Sequence, residues 1–80
     1  MLRAKRKRVD VEKIKIPADF IKSPPKSEKL ILKTADYINK GELSPVYIDK
    51  DYNLIDGYCS YLIYRTLYHE KITCIVVREE

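Results

Sequence analysis

Apolar and polar residues alternate along residues 9–16, "VDVEKIKI", as in a β-strand with one buried face. The alternation changes phase midway, which predicts a bulge in that strand. Prolines bracket the segment that follows, "ADFIKSPPK". We therefore expect a loop or a single helical turn there, anchored on the core by Phe20 and Ile21.

The next segment, "EKLILKTADYINK", has the apolar spacing of an α-helix. Ser27 stands directly before it, where its hydroxyl suits a helix N-cap. Gly41 follows Lys40, and a glycine at that place is a common C-cap, with the lysine at the negative end of the helix dipole. The apolar positions that recur at helical spacing are Leu30, Ile31, Ala35 and Ile38.

Two short apolar runs, Val46–Ile48 and Leu54–Ile55, flank the polar stretch "DKDYN". They predict a β-hairpin in which Asn53 is the residue best able to take a left-handed conformation. A second helix is predicted from Gly57 to about residue 68. The apolar stretch in "KITCIVVRE" predicts a last strand at the centre of a sheet, with both faces covered.

The predicted order is β-α-β-β-α-β, which indicates a single small α+β domain with a mixed sheet and helices packed on it. Eighty residues suffice for one modest core, so we expect marginal stability. No apolar run is long enough to cross a bilayer, and the N-terminus lacks the apolar stretch of a secretory signal. We expect no membrane association and a cytoplasmic location.

The net charge of +4 is unevenly distributed. Five of the sixteen basic side chains lie within the first eight residues, leaving eleven basic against twelve acidic side chains elsewhere. We divide the chain into a flexible basic tail, residues 1–8, and a domain, residues 9–80. Such a tail binds DNA backbones through counterion release, or is a solvated segment that keeps the protein soluble. Its basic residues are Arg3, Lys5, Arg6, Lys7 and Arg8.

The two cysteines, Cys59 and Cys74, form no C-x-x-C pair and have no cluster of histidines near them, which argues against zinc or a disulfide framework. Both are interpreted as reduced thiols. Cys74 stands among apolar strand residues and is predicted to be core. Cys59 lies in the first turn of the second helix, where it is either a nucleophile with a lowered pKa or, as we favour, a small buried residue. His69 stands alone and is predicted to be a loop residue.

The acidic tip "DKDYN" resembles the start of a calcium loop, but the positions that require glycine and glutamate hold Leu54 and Ser60. We therefore predict no metal site, and expect the tip aspartates to bond their own backbone. On the second helix, Tyr61, Tyr64 and Tyr68 share one face. They either rim the core with their hydroxyls in water, or form a surface for a protein partner or a second copy, or stack on bases.

Four stretches together resemble the ParB/sulfiredoxin domain: "VDVEKIKIPADFI", "INKGELSPVYID", "YNLIDGYCSYLIY" and "KITCIVV". The resemblance runs from about residue 9 to residue 78. It rests on the order of these stretches, on the step from Gly41 to Val46, and on the Asp56-Gly57 pair that opens the second helix.

The resemblance implies that the start of the second helix binds nucleotide phosphates. Partition proteins of this family carry a basic triplet after the glycine, and sulfiredoxins carry Cys-His-Arg. Those positions are Tyr58, Cys59 and Ser60 here, so Cys59 does not inherit the nucleophile's role and the arginine is missing. Loss of a bidentate arginine weakens phosphate binding by roughly 1.5–3 kcal/mol. The predicted phosphate-binding residues are Asp56, Gly57, Tyr58, Cys59 and Ser60.

The leading hypothesis is a non-catalytic ParB-like binding module for DNA maintenance or transfer in a bacterial chromosome, plasmid or mobile element. It has no resident cofactor, its basic tail contacts DNA, and its tyrosine helix contacts a protein partner. A second hypothesis is a nucleotide switch or nuclease-like enzyme that binds ATP or CTP weakly at residues 57–60. Lys40, or Lys26 and Lys29, would then assist binding. A third is a protein–protein interaction domain that acts through the tyrosine helix.

Overall fold

The computed structural model describes residues 2–67 and 69–79. Its four strands form a single sheet, and three helices and one 3-10 turn connect them. The strands are β1 (Leu2–Asp10), β2 (Val46–Asp49), β3 (Leu54–Asp56) and β4 (Lys71–Glu79). The helical segments are the 3-10 turn Val11–Lys13, α1 (Ala18–Lys22), α2 (Ser27–Lys40) and α3 (Tyr58–Thr66).

The strand order across the sheet is β1-β4-β2-β3. The β1–β4 and β2–β3 pairs are antiparallel, and β2 and β4 are parallel. The parallel pair requires a crossover, which α3 supplies between the hairpin and the last strand. This confirms the predicted α+β class with a mixed sheet and the central position of β4. The sequence also predicted that both faces of β4 are covered, but Ile75 and Val77 are only half-buried.

The N-terminal segment is a strand in the structure, and the predicted flexible tail was wrong. β1 pairs with β4 along its whole length, from Leu2 opposite Glu79 to Asp10 opposite Lys71. Its charged side chains up to residue 8 are exposed, so the sequence has no alternation of apolar and polar residues that would predict the strand. Basic side chains suit an edge strand because they discourage pairing with other chains.

The strand predicted over residues 9–16 ends at Asp10, and the change of phase is the 3-10 turn rather than a bulge. This turn keeps Val11 and Ile14 buried beside Val9. The apolar core lies between α3 and the face of the sheet that carries Cys74. Its residues are Val9, Val11, Ile14, Val46, Ile48, Leu54, Tyr61, Ile72 and Cys74.

Helix α2 lies on the outside of the domain. It begins one residue earlier than predicted, so Ser27 is inside the helix, and its predicted C-cap is confirmed. Gly41 is left-handed, with φ of 75°, and its N–H donates to the Tyr37 carbonyl at 2.7 Å. No α2 residue is buried, and Ile31 and Ile38 are 67% and 72% exposed. The apolar spacing therefore predicts the helix but not its burial.

The proline-bracketed segment forms the short helix α1. Phe20 is half-buried against the ring of Tyr58, with centroids 5.5 Å apart, as expected for an anchor. Ile21 is 60% exposed, so its prediction as an anchor was wrong. Phe20 is the α1 residue that packs, partly buried, against the core.

The hairpin tip is organised by Asp49. Its carboxylate accepts the backbone N–H groups of Asp51 at 2.8 Å and Asn53 at 2.9 Å, which confirms that the tip bonds its own backbone. The left-handed residue is Tyr52, with φ of 66°, and not Asn53 as predicted. Among the described residues, no helix has the length and apolar character needed to span a bilayer.

Candidate phosphate-binding site

The turn between β3 and α3 depends on Gly57. Its φ is 87°, a left-handed conformation that side chains disfavour. A Cβ atom there would lie 2.5 Å from the Pro45 carbonyl oxygen and 2.8 Å from the Val46 Cα. The turn therefore lies directly against the start of β2, and only glycine permits this approach. This contact fixes where α3 begins relative to the sheet.

The first turn of α3 presents unpaired backbone donors. Its first helical bond runs from the Tyr61 N–H to the Gly57 carbonyl at 2.9 Å. The N–H groups of Tyr58, Cys59 and Ser60 therefore precede any acceptor within the helix. No side chain among the described residues caps this end, because the Asp56 carboxylate accepts the Gly57 N–H at 2.8 Å instead.

The Ser60 side chain is buried without a partner. It is 1% exposed, and its Oγ has no hydrogen-bond partner among the described residues. A buried hydroxyl left unpaired costs about 1–3 kcal/mol, so this position is unfavourable without a ligand or water. Serine also accepts and donates, which suits it to a phosphate oxygen.

These groups line an open cavity of about 430 Å³ that is bordered by α1, α2, the segment before β2 and the start of α3. Lys29 and Lys33 line it from α2, and of the lining residues that the structure describes, Asp56 alone carries a carboxylate. Lys29 was predicted as a helper, whereas Lys26 and Lys40 are not in the lining. Lys33 was missed. The lysines are four residues apart and so share a face of the helix, but the sequence alone does not tell which face meets the cavity.

The five residues predicted to bind phosphate all line this cavity, so the structure brings them together. Tyr58 is half-buried, stacked beside the Tyr61 ring at 6.3 Å, and forms part of the wall with Phe20. Cys59 is 9% exposed. The other cysteine, Cys74, is fully buried in β4, and burial raises the pKa of its thiol to about 11.

The three tyrosines predicted as a partner surface differ in burial. Tyr61 is 3% exposed and belongs to the core, so its prediction as a contact residue was wrong. Tyr64 is half-buried and packs edge-on against Tyr37 at 5.8 Å, and burial raises the pKa of its hydroxyl. Tyr68 lies outside the described residues. His69 is exposed in a loop, as predicted, with its ring 5.3 Å from that of Tyr64.

The basic N-terminal residues are divided between the two faces of β1. Arg3, Lys5 and Lys7 alternate with Arg6 and Arg8, and only the first three line a second cavity, of about 570 Å³. This cavity shares no lining residue with the phosphate site. All five residues were predicted from the sequence to contact DNA, but the sequence did not indicate that they lie on two faces of a strand.

The fold is that of known ParB and sulfiredoxin structures. Two structures of Pnob8-like ParB N-domains match all of the chain, with TM-scores of 0.80 and 0.78 and 22% identity in each case. A sulfiredoxin from Arabidopsis thaliana matches 95% of it with a TM-score of 0.74 and 19% identity. Models of protein families and curated protein sequences give no match.

The chain therefore has the ParB/sulfiredoxin-like fold, as the sequence resemblance implied. It spans about a third of the two ParB chains, 32% and 30%, and 86% of the sulfiredoxin chain.

Proposed function

We propose that this chain is a non-catalytic ParB-like module that binds a nucleotide through its phosphates and acts in DNA maintenance or transfer in a bacterial chromosome, plasmid or mobile element. The observation that supports it most is the Ser60 hydroxyl. This group is buried and unpartnered at an uncapped helix start, in the same cavity as Lys29 and Lys33. The hydroxyl and the helix start come from α3 and the two lysines come from α2, so two separate parts of the chain supply one site.

The electrostatics of the cavity favour an anion. An N-terminus of an α-helix carries about half a positive charge, and two lysines add to it. The Asp56 carboxylate opposes them but is already bonded to the Gly57 N–H. The resemblance placed the family's arginine at Ser60, so in this proposal Lys29 and Lys33 supply the cationic charge from α2. The loss of phosphate affinity caused by the missing arginine is then partly offset by these two lysines.

The side chains support binding rather than catalysis. Cys59 lines the cavity, but it is nearly buried and occupies the family's histidine position. The single histidine of the chain, His69, lies beside Tyr37 and Tyr64, and none of these three residues lines the cavity. A cysteine nucleophile without a neighbouring base is only weakly activated.

The proposal is tested by calorimetric titration of the chain with ATP and with CTP. Lys29→Gln/Lys33→Gln should weaken binding about 10- to 100-fold, because each lysine at this open site contributes about 0.7–1.4 kcal/mol, the net value of a single hydrogen bond. The matched control is Lys26→Gln/Lys40→Gln, which removes the same charge beside and within the same helix but outside the cavity. Equal weakening by both double variants, or no binding of either nucleotide by the native chain, would contradict the proposal.

A further inference from the structure

A second cavity, which we call the basic groove, lies at the opposite end of β2 from the phosphate site. Its charged lining comes from β1, from β4 and from the tip of the β2–β3 hairpin, and Tyr52 lies in its wall. Its cationic residues are Arg3, Lys5, Lys7, Lys50 and Arg78. It holds about 570 Å³, and among the described residues Asp49 supplies the one carboxylate of its lining.

Strand geometry places the cations in a row. Alternate residues of β1 share a face, so Arg3, Lys5 and Lys7 follow one another at intervals of about 6.8 Å. Val9 continues this face into the apolar core, while the residues before it are exposed. The face of the sheet formed by β1 and β4 is thus apolar at one end and cationic at the other.

The Asp49 carboxylate of the groove is already bonded within the hairpin tip. Asp49 accepts the N–H groups of Asp51 and Asn53, and the Asn53 side-chain amide at 3.0 Å. Arg78 of β4 lies directly opposite Arg3 and adds a further cation to the same face of the sheet.

Tyr52 connects the hairpin tip to the row. Its left-handed backbone, φ of 66°, is unusual for a tyrosine and is the kind of strain found at functional sites. The Lys7 Nζ donates to its hydroxyl at 3.1 Å and lies 5.4 Å from the ring centroid. This contact joins Lys7 of β1 to the tip of the β2–β3 hairpin at the edge of the groove.

We propose that the basic groove binds the phosphate backbone of a nucleic acid, independently of its base sequence. The row from Arg3 to Lys7 is about 14 Å long, which equals about four phosphate spacings along one DNA strand. The other basic residues of β1, Arg6 and Arg8, are on the opposite face and take no part. This inference goes beyond the proposed function because it concerns a separate cavity.

The test compares two double variants of the same strand. Lys5→Gln/Lys7→Gln removes two charges from the groove, and Arg6→Gln/Arg8→Gln removes two charges from the opposite face. The probes are fluorescein-labelled oligo(dT) and a mixed-sequence duplex, titrated by fluorescence anisotropy over a range of salt concentrations. All four substituted side chains are exposed, so the fold should tolerate both changes.

The groove variant should lower the magnitude of the slope of log K against log salt. The decrease should be about 1.4 for oligo(dT) or about 1.8 for the duplex, as for two lost phosphate contacts. For oligo(dT) this corresponds to about 25-fold weaker binding at about 0.1 M salt, with convergence near 1 M. The control should keep the native slope, and Lys5→Arg/Lys7→Arg should also keep it, because the charges remain.

Equal effects of the two double variants on both probes would overturn the proposal that the groove binds nucleic acid, because binding would then depend only on the net charge of the chain. An unchanged slope in the groove variant, or no binding of either probe by the native chain, would also overturn it. Nucleotide binding at the α3 N-terminus does not depend on these residues, so the two proposals fail separately.

Discussion

Replacing Gly57 with alanine should destabilise the domain more than the same change at Gly41. Both glycines are left-handed, with φ of 87° and 75°. An alanine Cβ at Gly41 meets nothing within 4 Å, whereas at Gly57 it would lie 2.5 Å from the Pro45 carbonyl oxygen. The atoms it meets are backbone, so the turn or the start of β2 has to move.

The two substitutions share the cost of a left-handed alanine, about 1–2 kcal/mol. Gly57→Ala adds an overpacking cost of about 1–3 kcal/mol. The expected loss is therefore about 2–5 kcal/mol against about 1–2 kcal/mol for Gly41→Ala. A domain of this length has a total stability of about 4–12 kcal/mol, so Gly57→Ala should leave it close to unfolding.

The assay is urea unfolding at constant temperature, followed by far-UV circular dichroism. The midpoint of Gly57→Ala should fall below that of Gly41→Ala while the slope with denaturant stays the same. Equal midpoints would refute the reasoning, because they would mean that the close approach of Gly57 to β2 does not exist in solution.

Two further predictions concern charge and pH. Asp56→Asn keeps an acceptor for the Gly57 N–H but removes the Asp56 carboxylate from the phosphate site. Because a negative charge beside the anion is lost, the affinity for ATP in a calorimetric titration should rise about 3- to 10-fold. An unchanged or lower affinity would contradict the placement of the anion. Burial raises the pKa of the Cys74 thiol to about 11 from 9.0, so this thiol ionises at a lower pH in the unfolded chain than in the folded one. The buried neutral thiol therefore stabilises the fold fully below about pH 9, and this stabilisation is lost as the pH rises to about 11. The difference in unfolding free energy between the native chain and Cys74→Ala should accordingly narrow by as much as about 2 kcal/mol over that range, and a constant difference would show that the thiol titrates equally in both states.

The elements with strong local signals were predictable from the sequence. Helix α2 has both apolar periodicity and a glycine C-cap, and β4 has a continuous apolar run, so their limits lie within a residue of those predicted. The Asp56-Gly57 pair also marked the turn before α3. In each case the residues that determine the element lie within it or next to it.

The missed features depend on distant parts of the chain. β1 is held by backbone bonds to β4, some 70 residues away, and its exposed charges give no periodic signal. Tyr52 takes the left-handed position because Asp49 binds the N–H groups on either side of it, at residues 51 and 53. Lys33 joins the phosphate site only through the way that α2 lies against α3. No local pattern encodes these relations.

The most direct test of the central claim is a ¹H–¹⁵N NMR titration of the native chain with ATP and with CTP. The account predicts that the amides from Gly57 to Tyr61 shift most, with Ser60 among them, accompanied by residues around Lys29 and Lys33. Silence of these amides at millimolar nucleotide, or shifts confined to other parts of the domain, would contradict it.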